Sequence, residues 1–170
     1  MAAATHHTVY VIDQPGYRMG YIEGTYDLTD SDQFTNAGDG DGDGDGDVDT
    51  TSVTGFPANA YPLVGGILPY EYADDGDGDG TLSAATVELG DTNDPNGIGT
   101  ATNVFATTSQ TAWTQMAAGV EAKSGSTGPV LESAYAPIWT VRLTGGPMEE
   151  LSAGAYHGRI YFEQFILDGA

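Results

Sequence analysis

The chain has 170 residues, no cysteine, and a formal net charge of −21 from 25 Asp and Glu against 4 Lys and Arg. Its length suits one domain, the lack of cysteine excludes disulfides and thiolate metal sites, and no apolar run reaches the ~18 residues of a membrane-spanning helix. The basic residues, which are Arg18, Lys123, Arg142 and Arg159, are too few for a basic patch, so we expect neither direct nucleic-acid binding nor membrane insertion.

The charge indicates a medium of high salt. In dilute buffer so many carboxylates repel one another and oppose compaction of the chain. At molar salt the Debye length falls to about 3 Å and most of this repulsion disappears. An acidic surface almost without lysine is therefore typical of a halophilic protein. The alternative is an acidic mesophilic protein that carries two acidic loops.

Short stretches with alternating apolar and polar residues recur along the chain, and Gly, Pro, Asn and Asp separate them. A period of two residues is that of a half-buried strand. The central example places Ala85, Val87 and Leu89 on one face and ends in a turn at 94–97 (DPNG). The other predicted strands are 8–12, 17–28, 101–106, 136–144 and 158–167.

The stretch 56–72 is the most apolar, but prolines and a glycine pair interrupt it and exclude a helix. We predict short strands there with a bend at Gly65-Gly66, and inward-facing side chains at Leu63, Val64, Ile67 and Leu68. The only plausible helical turn is 111–118, and 149–153 could form one short turn.

These elements predict an all-β fold. About eight short strands with Gly and Pro turns between them are typical of an antiparallel β-sandwich with a jelly-roll-like topology. We expect one sandwich domain covering 1–170, with long acidic Gly/Asp loops at about 36–50 and 74–80.

The two acidic loops are the candidate metal site. Alternating Asp and Gly can turn every second carboxylate toward a hard cation such as Ca²⁺ or Mg²⁺. An EF-hand is excluded, because its twelfth position, which needs a bidentate Glu, is Thr50, Ser52 or Thr86 in the three alignments. A looser site and a loop with diffuse counter-ions both remain open. The candidate ligands are Asp39, Asp41, Asp43, Asp45, Asp75, Asp77 and Asp79.

No motif indicates catalysis, and we expect no enzyme. The chain has no GxSxG element, no P-loop and no GxGxxG before a helix. His6 and His7 are adjacent, so on a strand they point to opposite faces, and His157 has no nearby carboxylate at catalytic spacing. Glu149-Glu150 is best interpreted as a solvated pair. The surplus of aromatic residues, with ten Tyr and two Trp, suits a protein–protein contact or, as an alternative, stacking on a sugar.

Three segments resemble a pattern found in small structural proteins of tailed viruses. They are FPANA at 56–60, VELGD at 87–91 with NDPNG at 93–97, and GRIYF at 158–162. The resemblance implies a β-sandwich at the virion surface or in the tail, with no enzymatic role. The long acidic insertions depart from the pattern.

Combined with the acidity, the resemblance implies a capsid decoration or turret protein of a virus with a halophilic host. Such a protein would bind the major capsid protein lattice and copies of itself, as a trimer or pentamer, on the capsid exterior after assembly in the host cytoplasm. The alternatives are a tail or receptor-binding module and a free calcium-binding surface adhesin. A glycosidase that uses two of the carboxylates is more distant, because nothing fixes their separation.

Overall fold

The computed structural model of the protein describes residues 4–30, 33–34, 48–74, 83–91, 94–106, 108–119, 136–145 and 151–166. In these ranges the chain forms eleven strands and no α-helix. The strands are β1 (His6–Gln14), β2 (Tyr17–Asp27), β3 (Val48–Ser52), β4 (Ala60–Pro69), β5 (Ala73–Asp74), β6 (Ala84–Gly90), β7 (Gly99–Asn103), β8 (Thr114–Gln115), β9 (Ile138–Thr144), β10 (Leu151–Ala153) and β11 (Ala155–Phe165).

The strands form two main antiparallel sheets. The five-stranded sheet has the order β1-β2-β11-β4-β8, and the four-stranded sheet has the order β3-β9-β6-β7. A small sheet joins β5 to β10. The predicted all-β fold built from antiparallel sheets is therefore confirmed.

Eight of the strands pair in a nested way. Strand β2 pairs with β11, β3 with β9, β4 with β8 and β6 with β7, each time antiparallel. The earliest strand of this set thus pairs with the latest, and the pairs close inward along the chain. This is the order of one long hairpin that has been folded over, with its strands shared between two sheets.

The two sheets share a core. Trp139 of β9 is fully buried and lies edge-to-face against Tyr26 of β2 and Tyr156 of β11, with ring centroids 5.9 and 5.8 Å apart. Space for the indole comes from Gly158 of β11, where a Cβ would lie 2.8 Å from Trp139 Cζ2. A residue of the four-stranded sheet thus packs directly on the backbone of the five-stranded sheet.

The prediction of short strands with a bend at Gly65-Gly66 is wrong, because strand β4 is continuous there. It runs without interruption through the glycine pair, and of the four residues predicted to face inward only Ile67 is buried. Leu63, Val64 and Leu68 are half-exposed. The core position at this level belongs to Gly65, where a Cβ would come within 2.9 Å of Leu89 Cδ2. The core volume beside Gly65 is filled by Leu89 of the facing sheet and by Met116, which follows β8, and not by a side chain of β4.

The predicted helical turn at 111–118 is wrong. Thr114 and Gln115 form β8 beside β4, and the next residue, Met116, donates its N–H to Gly65 O at 2.9 Å. Met116 is buried, so pairing with the sheet edge satisfies this backbone while its side chain enters the core. Likewise, residues 151–153 form strand β10 where a short turn was expected.

Two turns lie where the chain resembles the viral pattern. In the first, Ala60 N–H donates to Pro57 O at 3.3 Å, and Asn59 has a φ of 58°. Asn is one of the few residues other than Gly that takes this left-handed conformation readily. In the second, the predicted turn at 94–97, Gly97 N–H donates to Asp94 O at 3.1 Å.

The acidic loops lie mostly outside the described residues. Their described ends belong to strands, because 48–50 begin β3 and residue 74 ends β5. The boundaries predicted for the loops therefore extend into the sheets by a few residues.

Candidate functional site

A cluster of charged and aromatic side chains covers the outer face of the five-stranded sheet. We call it the Arg159 cluster, and all of its members are half-buried. Strands β2 and β11 alternate buried and half-buried residues, so every second side chain points away from the core. The register places Arg159 opposite Glu23 and Tyr161 opposite Tyr21. The members are Tyr21, Glu23, Trp113, His157, Arg159 and Tyr161.

Arg159 lies at the centre of this cluster. Its Nε and Nη2 both donate to Glu23 Oε2, at 2.9 and 2.6 Å, and its Nη1 donates to the Tyr161 hydroxyl at 3.2 Å. The two side chains are only 18% and 20% exposed, so this ion pair is shielded more than most surface pairs. Burial disfavours the charge of Arg159, but the hydrogen bonds with Tyr161 and Glu23 outweigh it and raise the pKa of the guanidinium.

Two aromatic rings enclose the guanidinium. Its central carbon lies 4.0 Å from the ring centroid of Tyr21 and 4.1 Å from that of Trp113. These distances are those of cation–π contacts. Arginine suits this position because its planar group can stack on rings and bond a carboxylate at the same time.

Trp113 reaches the cluster from the segment before β8, at the edge of the sheet. The ring packs over Gly66 of β4, where a Cβ would lie 3.6 Å from Trp113 Cε3, an ordinary contact distance. The ring also contacts His157 edge-to-face, with centroids 5.3 Å apart. Gly66 therefore lies under Trp113 on the outer face, whereas Gly65 faces the core.

The expectation that His157 has no nearby carboxylate is wrong. Its Nε2 lies 3.7 Å from Glu23 Oε2 on the adjacent strand, in a diagonal position that spacing along the chain does not reveal. Burial lowers the pKa of His157, the charge of Glu23 partly opposes this, and the charges of Arg159 and His7 add to it. The imidazole is therefore mostly neutral at neutral pH.

The other two histidines separate as predicted for neighbours on a strand. Hydrogen bonds join His6 Nδ1 to Thr54 Oγ1 and His6 Nε2 to the hydroxyl of buried Tyr26, both at 2.9 Å. His7 is exposed and pairs in register with Glu23. The two imidazoles thus contact different parts of the protein.

Every arginine of the chain forms an ion pair with a carboxylate. Besides Arg159, Arg18 Nε donates to Asp13 Oδ1 at 2.6 Å, and Arg142 Nε donates to Glu88 Oε2 at 3.0 Å. Each pair joins two strands of one sheet. Lys123, the remaining basic residue, lies outside the described residues.

The predicted metal ligands cannot be placed. Asp39, Asp41, Asp43, Asp45, Asp75, Asp77 and Asp79 all lie outside the described residues, as does the Glu149-Glu150 pair. Within the described ranges, no group of three or more His, Asp or Glu side chains could hold a metal ion. The described ranges also contain no helix long and apolar enough to cross a membrane.

The side chains of the Arg159 cluster hold one another in position. Glu23 is paired with Arg159, and the hydroxyl of Tyr161 accepts another hydrogen bond from the same guanidinium. Tyr, Trp and Arg are the residues that contribute most to protein–protein contacts, because they offer large rigid surfaces with polar ends. Sequence reasoning missed the cluster, although alternate residues of two strands (YxE at 21–23 and HxRxY at 157–161) carry its signal.

Comparisons with protein families, with curated proteins and with solved structures found no match.

Proposed function

We propose that the protein is a structural component of a virion, a capsid decoration or turret protein on the major capsid protein lattice of a virus with a halophilic host. The Arg159 cluster carries this proposal. It presents one Trp, two Tyr and one Arg together on a sheet face, already fixed in position, so little conformational entropy is lost when a partner covers it.

The strand order supports the same function. We infer that the sandwich is a jelly roll, because eight strands pair first with last and are shared between two sheets. Jelly rolls recur in viral capsid proteins. The resemblance at 56–60, 87–97 and 158–162 gives independent support, and two of these segments form the tight turns described above.

The cluster also suits repeated binding on a lattice. A single face of this size gives modest affinity, but many identical contacts held in one array act together. The acidic surface fits a particle that stays in strong brine, where the repulsion between neighbouring copies is screened.

The test is the copy number of the chain in particles purified from cultures that produce it, measured by quantitative mass spectrometry. We expect hundreds of copies per particle, and Trp113→Ala should lower the occupancy at least about tenfold, since removal of one interface anchor costs more than about 1.4 kcal/mol. Arg142→Ala, which changes an ion pair on the other sheet, should leave occupancy unchanged. A handful of copies per particle would identify a tail or receptor-binding module instead, and none would overturn the proposal.

A further inference from the structure

Strand β1 is a long edge strand of the five-stranded sheet, and no other described strand covers its outer edge. Strand β1 covers nine residues and, among the described strands, pairs only with β2. An edge strand presents a row of backbone N–H and C=O groups that can pair with another strand. A β-bulge between Tyr10 and Ile12 interrupts the register with β2 and places Val11 at the bulge.

The exposed apolar side chains of the described residues concentrate at this edge. The four large hydrophobic side chains classed as exposed are Val9 (36%), Tyr10 (40%), Val11 (69%) and Phe165 (41%). Three of them belong to β1. The fourth contacts Tyr17 at the end of the same hairpin, with ring centroids 5.5 Å apart. We call the three residues of β1 (Val9, Tyr10 and Val11) and the strand that carries them the β1 edge.

The β1 edge is also free of net charge in a strongly acidic protein. Residues 6–12 include no carboxylate, lysine or arginine, and the next residue, Asp13, is neutralised by Arg18 at 2.6 Å. The same Arg18 lies 5.0 Å from the ring centroid of Tyr10. One of only four basic residues is therefore used to cancel the carboxylate at this edge.

We infer that two copies of the chain pair through β1, antiparallel about a two-fold axis, and join their five-stranded sheets into one of ten strands. A strand that meets a copy of itself is repelled wherever it carries net charge, and in this strand the only carboxylate, Asp13, is paired with Arg18. Two bodies of charge −21 meet at the lowest electrostatic cost where each is locally neutral. Val9, Tyr10 and Val11 then cover the same residues of the other copy.

This pair forms through the free edge of β1, which adjoins the Arg159 cluster where Val9 lies opposite Tyr21, and it does not require binding to a capsid. It also differs from the trimer or pentamer expected from the sequence, and the mass of the assembly distinguishes them.

The experiment is sedimentation equilibrium of the full chain in molar salt, over a range of concentrations. We expect a mass of two chains, and we expect Val11→Lys to weaken the association at least about 100-fold, because a two-fold axis brings both new charges into one contact. Val11 is mostly exposed, so this change leaves the fold intact. Thr25→Lys, which adds the same charge on the outer face of β2, should leave the mass unchanged.

Hydrogen exchange gives a second measurement that does not use a variant. The amides of β1 should gain protection as protein concentration rises through the dissociation constant, whereas those of β7 should not. A single-chain mass at all concentrations, a mass of three or five chains, or a dimer sensitive to Thr25→Lys and not to Val11→Lys would each overturn the inference.

Discussion

Trp139 of the four-stranded sheet lies against the backbone of Gly158 in the five-stranded sheet. A Cβ on Gly158 would be 2.8 Å from Trp139 Cζ2 and 2.9 Å from Tyr26 Cε2, closer than side chains pack. The indole is fully buried and cannot move toward solvent. The spacing of the two sheets at the centre of the core therefore depends on the absence of a side chain at one position.

Gly158→Ala should destabilise the protein by about 1 to 3 kcal/mol, because the added methyl group overpacks the core. Denaturant unfolding measures the change. Gly66→Ala is the matched control, since a Cβ there meets nothing closer than 3.6 Å, and we expect it to cost less than about 0.5 kcal/mol. Equal effects of the two changes would contradict this account of the sheet contact.

Arg159→Lys should destabilise the fold by about 1 kcal/mol, although it keeps the charge. Lysine cannot donate two fixed hydrogen bonds to Glu23 and stack between Tyr21 and Trp113 at once. Arg142→Lys is the control, because Arg142 is 44% exposed and makes one bond to Glu88. Chemical denaturation of both variants would measure the difference in the free energy of unfolding. The Trp fluorescence of Arg159→Lys should also differ from that of the wild type, because Trp113 loses its contact with the guanidinium. Identical midpoints would show that the stacking contributes nothing to stability.

Stability should fall as the pH drops from about 7.5 to 5.5. Burial comes first among the causes that lower the pKa of both His6 and His157 below the ordinary value of 6.5. The unfolded chain therefore takes up protons at a higher pH than the folded chain, and acid favours unfolding. The free energy of unfolding of wild type and His157→Gln, measured in molar salt across this range, should show a shallower pH slope for the variant. A slope unaffected by the substitution would exclude His157 as a contributor.

Asn59→Ala should cost about 1 kcal/mol, because a residue with a Cβ and no local polar group resists a φ of 58°. Asn59→Gly should have little effect, since glycine takes this conformation without strain. Thermal unfolding of the two variants provides the comparison. If alanine were tolerated as well as glycine, the left-handed turn would not explain the Asn in this motif.

Lowering the salt concentration should loosen the protein. Below about 0.5 M salt the Debye length grows and the net charge of −21 opposes the compact state more strongly. We expect the unfolding temperature to fall steadily as salt is removed, with sucrose at matched osmolarity as the control. A melting temperature constant from molar salt to dilute buffer would remove the argument for a halophilic host.

Much of the fold follows from local sequence patterns. The alternation at 17–28, 136–144 and 158–167 located β2, β9 and β11 to within a few residues, because a strand buried on one face must repeat every second residue. The helical turn predicted at 111–118 was wrong because that segment has no such alternation. Two residues there pair with β4, and such a short strand has no period of its own.

The candidate site could not be predicted from local sequence patterns. Glu23, Trp113 and Arg159 come from three distant parts of the chain, and the register of β2 against β11 and the pairing of β8 with β4 bring them together. Pairing between strands far apart in sequence is set by the whole core, so a single sequence gives no direct signal for it. Both Trp residues were predicted to suit a protein–protein contact, but only Trp113 lies in the cluster, whereas Trp139 is fully buried in the core.

The nested pairing has a consequence for biosynthesis. Strand β11 lies in the middle of its sheet, between β2 and β4. The ribosome synthesises both of these strands long before β11. Until the ribosome has released β11, β2 and β4 have no strand between them and Trp139 has no Gly158 to cover it. The five-stranded sheet and the contact between the two sheets at Trp139 can therefore form only after β11 has been synthesised, so most of the native contacts form together and late.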